Sequence, residues 1–305
     1  MKKLVKNGLM FLAGILVLTT SCTQNDSDGV GGGKGTLSLL LTDAPFPSGL
    51  VDHTLVTFDK IEIRSTAVST STVTTTEGGN DAQFIVLYEG EGKEFDLLDL
   101  QNGLTTELLN MDIPAGSYDF IRMHIAESKV IMKDGAIFDM KIPSGASSGL
   151  KIKITPNLVI ESGVESEVLL DFDVSKSFIA QGNIKSPHGI KGFLFKPVLR
   201  AACQKYSGII TGKVSVNPAT PIAEAHVQIL RADTVYSSAL TDATGVYALV
   251  GLPSGDYKMI CEKDGYPVVS INQVIVKARE TTIVDITMGT TTSTTTTTNT
   301  TTTNP

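Results

Sequence analysis

The sequence predicts an all-β protein: two β-sandwich domains in tandem, behind a short leader and ahead of a disordered threonine-rich tail. Three observations predict it. Tryptophan is absent while Val, Ile and Thr are abundant, a bias suited to pleated, half-buried surfaces. Several segments alternate apolar and polar residues with a period of two. Clusters of Gly, Pro, Asp and Ser separate them at short intervals. The 305 residues suffice for two domains with cores of their own, and 41% hydrophobic with 19% charged is a globular balance.

In order along the chain, residues 1–21 read as an export signal. Lys2, Lys3 and Lys6 precede the apolar run Gly8–Leu18, which is too short for a membrane-spanning helix and suits the core of a signal peptide. Thr19, Thr20 and Ser21 then lead into Cys22. The pattern resembles the lipobox of bacterial lipoproteins, although Thr19 stands where an aliphatic residue is usual. The resemblance implies that Cys22 becomes the lipidated N-terminus, held in the outer membrane, with surface exposure as one option. Residues 22–34, rich in Gly, Ser and Asp, form a flexible tether. Its Asp26 and Asp28 resemble the surface-export signals of Bacteroidetes lipoproteins.

The first domain covers residues 35–203. Thr36–Thr42 is apolar enough for a sandwich core, and Gly149–Ile154 turns Leu150, Ile152 and Ile154 to one face. Ser166–Asp173 buries Val168, Leu170 and Phe172 in the same way. In Thr54–Arg64 the phase slips between Val56/Phe58 and Ile61/Ile63, so a bulge is expected near Asp59–Lys60. Leu104 and Leu108, spaced i and i+4, hint at a helix, and the Ser/Thr-rich stretch 65–81 reads as a long loop. The motifs Leu39–Pro45, Phe95–Gly103, Ile113–Tyr118, Ile142–Leu150, Leu170–Asp173 and Lys196–Arg200, in this order, resemble the bacterial lipoprotein domain known as domain of unknown function 4382. That resemblance implies export and a β-sandwich and transfers no activity.

The second domain covers residues 207–288, with short strands such as Gly208–Val216, Ala225–Leu230, Tyr247–Val250 and Asp256–Cys261. Thr241–Gly245 and Leu252–Gly255 supply turns. The string Pro221–Ile229, Thr241–Leu249, Leu252–Tyr257 and Asp264–Tyr266 resembles the carboxypeptidase regulatory-like domain. This implies a transthyretin-like sandwich, grouped with carbohydrate-binding-like folds and used chiefly as a non-catalytic unit. Residues 289–305 are almost pure threonine, carry no apolar periodicity, and are expected to be disordered or extended.

Charge and motif content narrow the function. Three of the 25 basic residues lie in the leader, leaving 22 against 32 acidic ones, about −10. Such a surface repels phosphate backbones and argues against nucleic acid as a partner. His124 and Glu127 have the H-x-x-E spacing of a zinc peptidase but lie in an alternating strand, where residues three apart face opposite sides. His53, His188 and His226 fall in separate segments, and no catalytic motif emerges, so neither a catalytic residue nor a cofactor is assigned. Asp43, Asp52 and Asp59 are candidate Ca²⁺ ligands if the loop oxygens near them converge, the alternative being turn capping; Asp171 and Asp173 end a strand. Cys203 and Cys261 form a disulfide or remain two small buried hydrophobes. The expectation is a non-enzymatic envelope lipoprotein that binds a glycan or protein, against a structural stalk and, third, a hydrolase with an unrecognised site.

Overall fold

The computed structural model describes residues 33–44, 49–66, 84–142, 149–183, 189–289 and 301–303. The leader, Cys22, the tether before Gly33, most of the 65–81 segment, His188 and the remainder of the Thr-rich tail lie outside them. The described protein is nearly all strand, and no helix among the described residues is long and apolar enough to cross a membrane.

The N-terminal half contains β1 (Lys34–Ala44), β2 (Val51–Ser65), β3 (Phe84–Asp96), β4 (Thr106–Pro114), β5 (Gly116–Met132) and β6 (Ile137–Asp139). β7 (Leu150–Ile160), β8 (Glu165–Asp173), β9 (Phe178–Gly182), β10 (Ile190–Phe195) and β11 (Leu199–Cys203) complete it. The strands pair in the order β3-β2-β5-β7-β11-β8-β1-β4, with β6 on β5. β7 touches β11 through one pair, Ile154 with Ala201, and the ladder folds there into two layers. Leu37, Leu39 and Leu41 of β1 and Val168, Leu170 and Phe172 of β8 share one core with Ile121, Met123 and Ile125 of β5. The β9–β10 hairpin is held by its aromatic residues: the Phe178 ring lies 4.8 Å from that of Phe195 and 6.3 Å from that of Phe172.

Two local expectations can be compared with what forms. The phase slip in β2 is a bulge at Asp59, with register shifts against both β3 and β5, so Val56, Phe58, Ile61 and Ile63 are all buried. The helix suggested by Leu104 and Leu108 does not form. Leu104 is exposed, whereas Leu108 and Leu109 lie buried in β4, paired to β1 across a register shift at Leu39/Leu40. Two adjacent leucines can both be buried there because Leu108 is an extra residue of β4, opposed to no residue of β1, and strand pairing overrides a weak helical spacing. The helical turn comes earlier, at Leu97–Leu100, where the Asp96 carboxylate accepts the Leu98 N–H at 3.1 Å.

The C-terminal half is built from β12 (Ser207–Asn217), β13 (Thr220–Pro221), β14 (His226–Arg231), β15 (Thr234–Leu240) and β16 (Val246–Pro253). β17 (Gly255–Glu262), β18 (Val269–Val276), β19 (Glu280–Ile283), β20 (Ile286–Thr287) and β21 (Thr301–Thr303) follow. β12 is flanked by β16 on one side and by β19 and β20, both parallel to it, on the other. The facing sheet runs β15-β14-β17-β18. Ile210, Val214, Tyr247 and Leu249 pack against Val227, Ile229, Tyr257 and Met259 as a second core. Buried tyrosine hydroxyls find acceptors: Tyr247 donates to Val284 O at 2.6 Å and Tyr257 to Pro253 O at 2.7 Å. Part of the tail is extended, one of the two states expected of it, because Thr301–Thr303 pair antiparallel with β19. β19 leaves one sheet edge open there, and β-branched threonine suits an added strand.

Both cores lie in one compact unit spanning residues 32–305. In β8 every residue from Val168 to Asp173 is buried, on both faces. The inner set belongs to the first core, and the second half covers the outer set. Gly251, at φ +65°, brings β16 so close that a Cβ would lie 3.1 Å from Leu169 and 3.3 Å from Ala202.

Candidate functional site: the joint between the two cores

The joint runs along β1 and β8, which are parallel and in register from Thr36/Glu165 to Ala44/Asp173. Its centre is ionic. Arg200, opposite Asp171 in the β11–β8 pair, donates through Nη2 to the Asp171 carboxylate and through Nη1 to Tyr236 O of β15. The same Nη1 stands 3.7 Å from Asp173, and the guanidinium lies 5.0 Å from the Tyr236 ring centroid. Lys176 adds a 2.9 Å ion pair to Asp173 and a 3.4 Å hydrogen bond to Val235 O. Burial alone would raise Asp173, but hydrogen bonds from Lys176 and Ser175, with Arg200 nearby, outweigh it and hold the carboxyl below its ordinary value.

Asp43 behaves in the opposite way. It is 6% exposed, accepts the Val174 N–H at 3.2 Å through Oδ1, and has no hydrogen-bond partner at Oδ2. Burial first, and the Asp171 charge second, push its pKa well above the usual carboxylate range. The joint therefore brings three aspartates together with an arginine and a lysine.

The candidate Ca²⁺ ligands do not converge. Asp43 lies in the joint, Asp52 is exposed beside His53 Nε2 at 3.4 Å, and Asp59 is the bulge residue, bonded to His124 Nδ1. Asp52 and Asp59 are separated by most of β2, about 23 Å at ~3.3 Å per residue. The aspartates that do gather, Asp43, Asp171 and Asp173, are met by Arg200 and Lys176. Among the described residues no group of three or more His, Cys, Asp or Glu is arranged to hold a metal.

Cys203 and Cys261 are both free and both buried. Cys203 ends β11 in the first core and Cys261 lies in β17 in the second, where its thiol stands 3.6 Å from the Met288 sulfur. Separate cores keep the two apart, so the disulfide is not formed. Burial pushes the thiols up to about 11 and about 12, far from the thiolate. The described histidines are likewise scattered. His53 Nδ1 sits 2.5 Å from Asp96 Oδ2, and that hydrogen bond raises its pKa; His226 is lowered by burial.

A cleft opens at each end of the joint. One, of about 620 Å³, is lined by Glu161, Val164, Tyr206 and Arg279 and lies at the start of β1, where Gly163 N donates to Lys34 O at 2.9 Å. The other, of about 860 Å³, is lined by Gln101 and Asn102 from the first half and by His226, Glu262, Asp264 and Tyr266 from the second. It lies near the end of β1, where Thr42 Oγ1 donates to Leu100 O at 3.2 Å and Leu104 O at 2.8 Å. The eleven residues of β1 set the two ends roughly 33 Å apart. Asn102, at φ +56°, turns the chain at the rim, and its Oδ1 is buried without a hydrogen-bond partner. The periodicity of single segments gave no sign of this groove, since its two walls come from separate halves of the chain.

Comparison with known proteins places these halves. No curated protein matches the chain. Among solved structures, the Bacillus anthracis TIE protein is 12% identical with a TM-score of 0.23; the match covers 84% of this chain, which spans only 34% of that protein. Shaft pilin SpaA from Lactobacillus rhamnosus GG is 10% identical over 85% of this chain and 99% of the pilin, with a TM-score of 0.26. BcpA, the major pilin subunit of Bacillus cereus, is 11% identical over 84% of this chain and 99% of BcpA, with a TM-score of 0.22. Likeness at this level transfers no activity. Family comparison is more specific: the Carboxypeptidase regulatory-like domain matches residues 209–289. The match to residues 34–197 covers more than half of the chain, and the chain accordingly belongs to the family described as Domain of unknown function (DUF4382).

Proposed function

We propose that this protein is a non-enzymatic lipoprotein of the cell envelope, anchored to the outer membrane through Cys22, that binds a glycan or protein ligand in the larger cleft. One observation carries the reading: the larger cleft lies at the end of β1 opposite to the end at which the tether arrives. A lipid at Cys22 would join the folded chain to the bilayer through its Lys34 end, at the other end of β1 from this groove. Scattered histidines and two buried, protonated thiols support a role without catalysis.

The competing structural reading, a stalk or assembly component, draws on the ionic centre of the joint, which ties the halves together. Side-by-side packing along β1 and β8 weakens it, because a spacer gains reach only when its domains stack end to end.

Two measurements test the proposal. Mass spectrometry of the mature N-terminal peptide should find acylated Cys22, and Cys22→Ala should move the protein from the membrane to the soluble fraction. A glycan array probed with the full chain and with Tyr266→Ala should show binding that the variant loses; binding equal in both would remove the groove from the proposal.

A further inference from the structure

We infer that the threonine tract is an edge guard: as β21 it covers the outer edge of β19 and keeps this flank from pairing, strand to strand, with a second copy of the chain. A bare sheet edge presents unpaired N–H and C=O groups, and folded chains blunt it with charge, proline, brevity or a cover. The other edges of the two sandwiches have such protection. β3 carries Glu89, Glu91, Lys93 and Glu94, and β4 carries Glu107, Asp112 and Pro114. β15 and β16 meet the first half, where Lys176 and Arg200 take Val235 O and Tyr236 O and Gly251 lies against Leu169. β13 is two residues long and includes Pro221.

The remaining flank lacks such devices of its own. β18 and β19 lie side by side there, with Thr282 Oγ1 donating to Ile275 O at 3.1 Å. β18 contains no charged residue and no proline, β19 has Glu280 alone, and Ile275 is 47% exposed. On the outer side of β19 the neighbour among the described residues is β21, with Thr301, Thr302 and Thr303 opposite Thr282, Thr281 and Glu280.

The tract suits this task in sequence and in length. Threonine favours extended backbone. Three consecutive threonines occur at 290–292, within 294–298 and within 300–303, so a slipped tract offers β19 the same strand and no single register has to be kept. Thr282 of β19 and Thr287 of β20 stand opposite Ile210 and Ser215 of β12, about 17 Å apart at ~3.3 Å per residue. Residues 288–300 connect Thr287 to Thr301 and extend to more than twice that length, so the tract can return to its own sheet. Linkage makes this pairing intramolecular, and it therefore outcompetes a second copy in dilute solution.

The test compares the full chain in detergent with a chain ending at Gly289 and with Thr296→Pro/Thr302→Pro, which breaks every threonine triplet beyond residue 292 and touches neither core. Thermal unfolding confirms that each variant is folded. In dilute solution, amide hydrogen exchange over Glu280–Ile283 should quicken at least about tenfold in both variants and stay unchanged over β3. On concentration, sedimentation should show the variants dimerising while the full chain stays monomeric, and protection of Glu280–Ile283 should return in the dimer. A peptide of residues 290–305 in excess should dissociate that dimer. Unchanged exchange in both variants would overturn the cover. Faster exchange without dimers, or dimers that leave Glu280–Ile283 unprotected, would overturn the guarding role.

Discussion

Asp43 and Arg200 show how single side chains set the character of the joint. In an unfolded chain Asp43 titrates near ~3.9. Folded, it keeps its proton well above that value, so between the two pKa values the folded state holds more protons and stability falls as pH rises. Asp43→Asn preserves shape and removes this slope. Urea denaturation should give the variant a higher midpoint than wild type near neutral pH and no advantage below about pH 3, where Asp43 is protonated in both states. Arg200→Met acts in the other direction. It strands Asp171, 10% exposed, leaves Asp173, 2% exposed, with Lys176 as its remaining cation, and should cost about 3–5 kcal/mol, whereas Arg200→Met/Asp171→Leu should recover part of the loss. Both aspartates alternate with Leu170 and Phe172 and look solvent-facing in the sequence, because alternation reports only which face a residue occupies. What covers that face is a distant arginine and a strand of the other half.

Strands and turns were legible to the extent that their own residues determined them. The bulge at Asp59 could be read because Val56/Phe58 and Ile61/Ile63 must all reach one core, a requirement internal to β2. The false helix near Leu104 arose because Leu108 is an extra residue of β4, skipped in the pairing with β1, and that distant strand lies outside the window that suggested the helix. The turn at Leu97–Leu100 depends on a similar long-range tie. Asp96 caps it and also binds His53 of β2, while Thr54 N donates to the same carboxylate at 3.1 Å. The Asp96 hydrogen bond raises the His53 pKa, so this tie contributes fully below about 6.5 and is lost as pH rises through the raised value. An NMR titration should place His53 above 6.5 in the wild type and return it close to that value in Asp96→Asn. Amides of residues 97–102 should then exchange faster, since this turn carries one wall of the groove.

At the scale of the molecule, two cores that sequence comparison treats as separate modules share a continuous joint with hydrophobic, ionic and backbone components. Calorimetry should accordingly record one unfolding transition for the whole chain. Gly251→Ala should divide it into two, because a Cβ there strains a left-handed residue by about 1–2 kcal/mol and presses on Leu169 and Ala202. Single segments revealed little of the candidate groove, because Asn102 and Tyr266 meet only through this docking. The strand architecture can be read from local patterns; a site made of two halves cannot.

The two-sided burial of β8 has a bearing on how the chain is made. Synthesis delivers the N-terminal half first, with Leu169, Asp171 and Asp173 on a face whose cover has not yet emerged. Only when Gly251 and Tyr236 arrive can Leu169 be shielded and Arg200 reach its second acceptor. The early half would thus wait with an uncovered, adhesive face, a client for holdase chaperones until its own C-terminal half completes it.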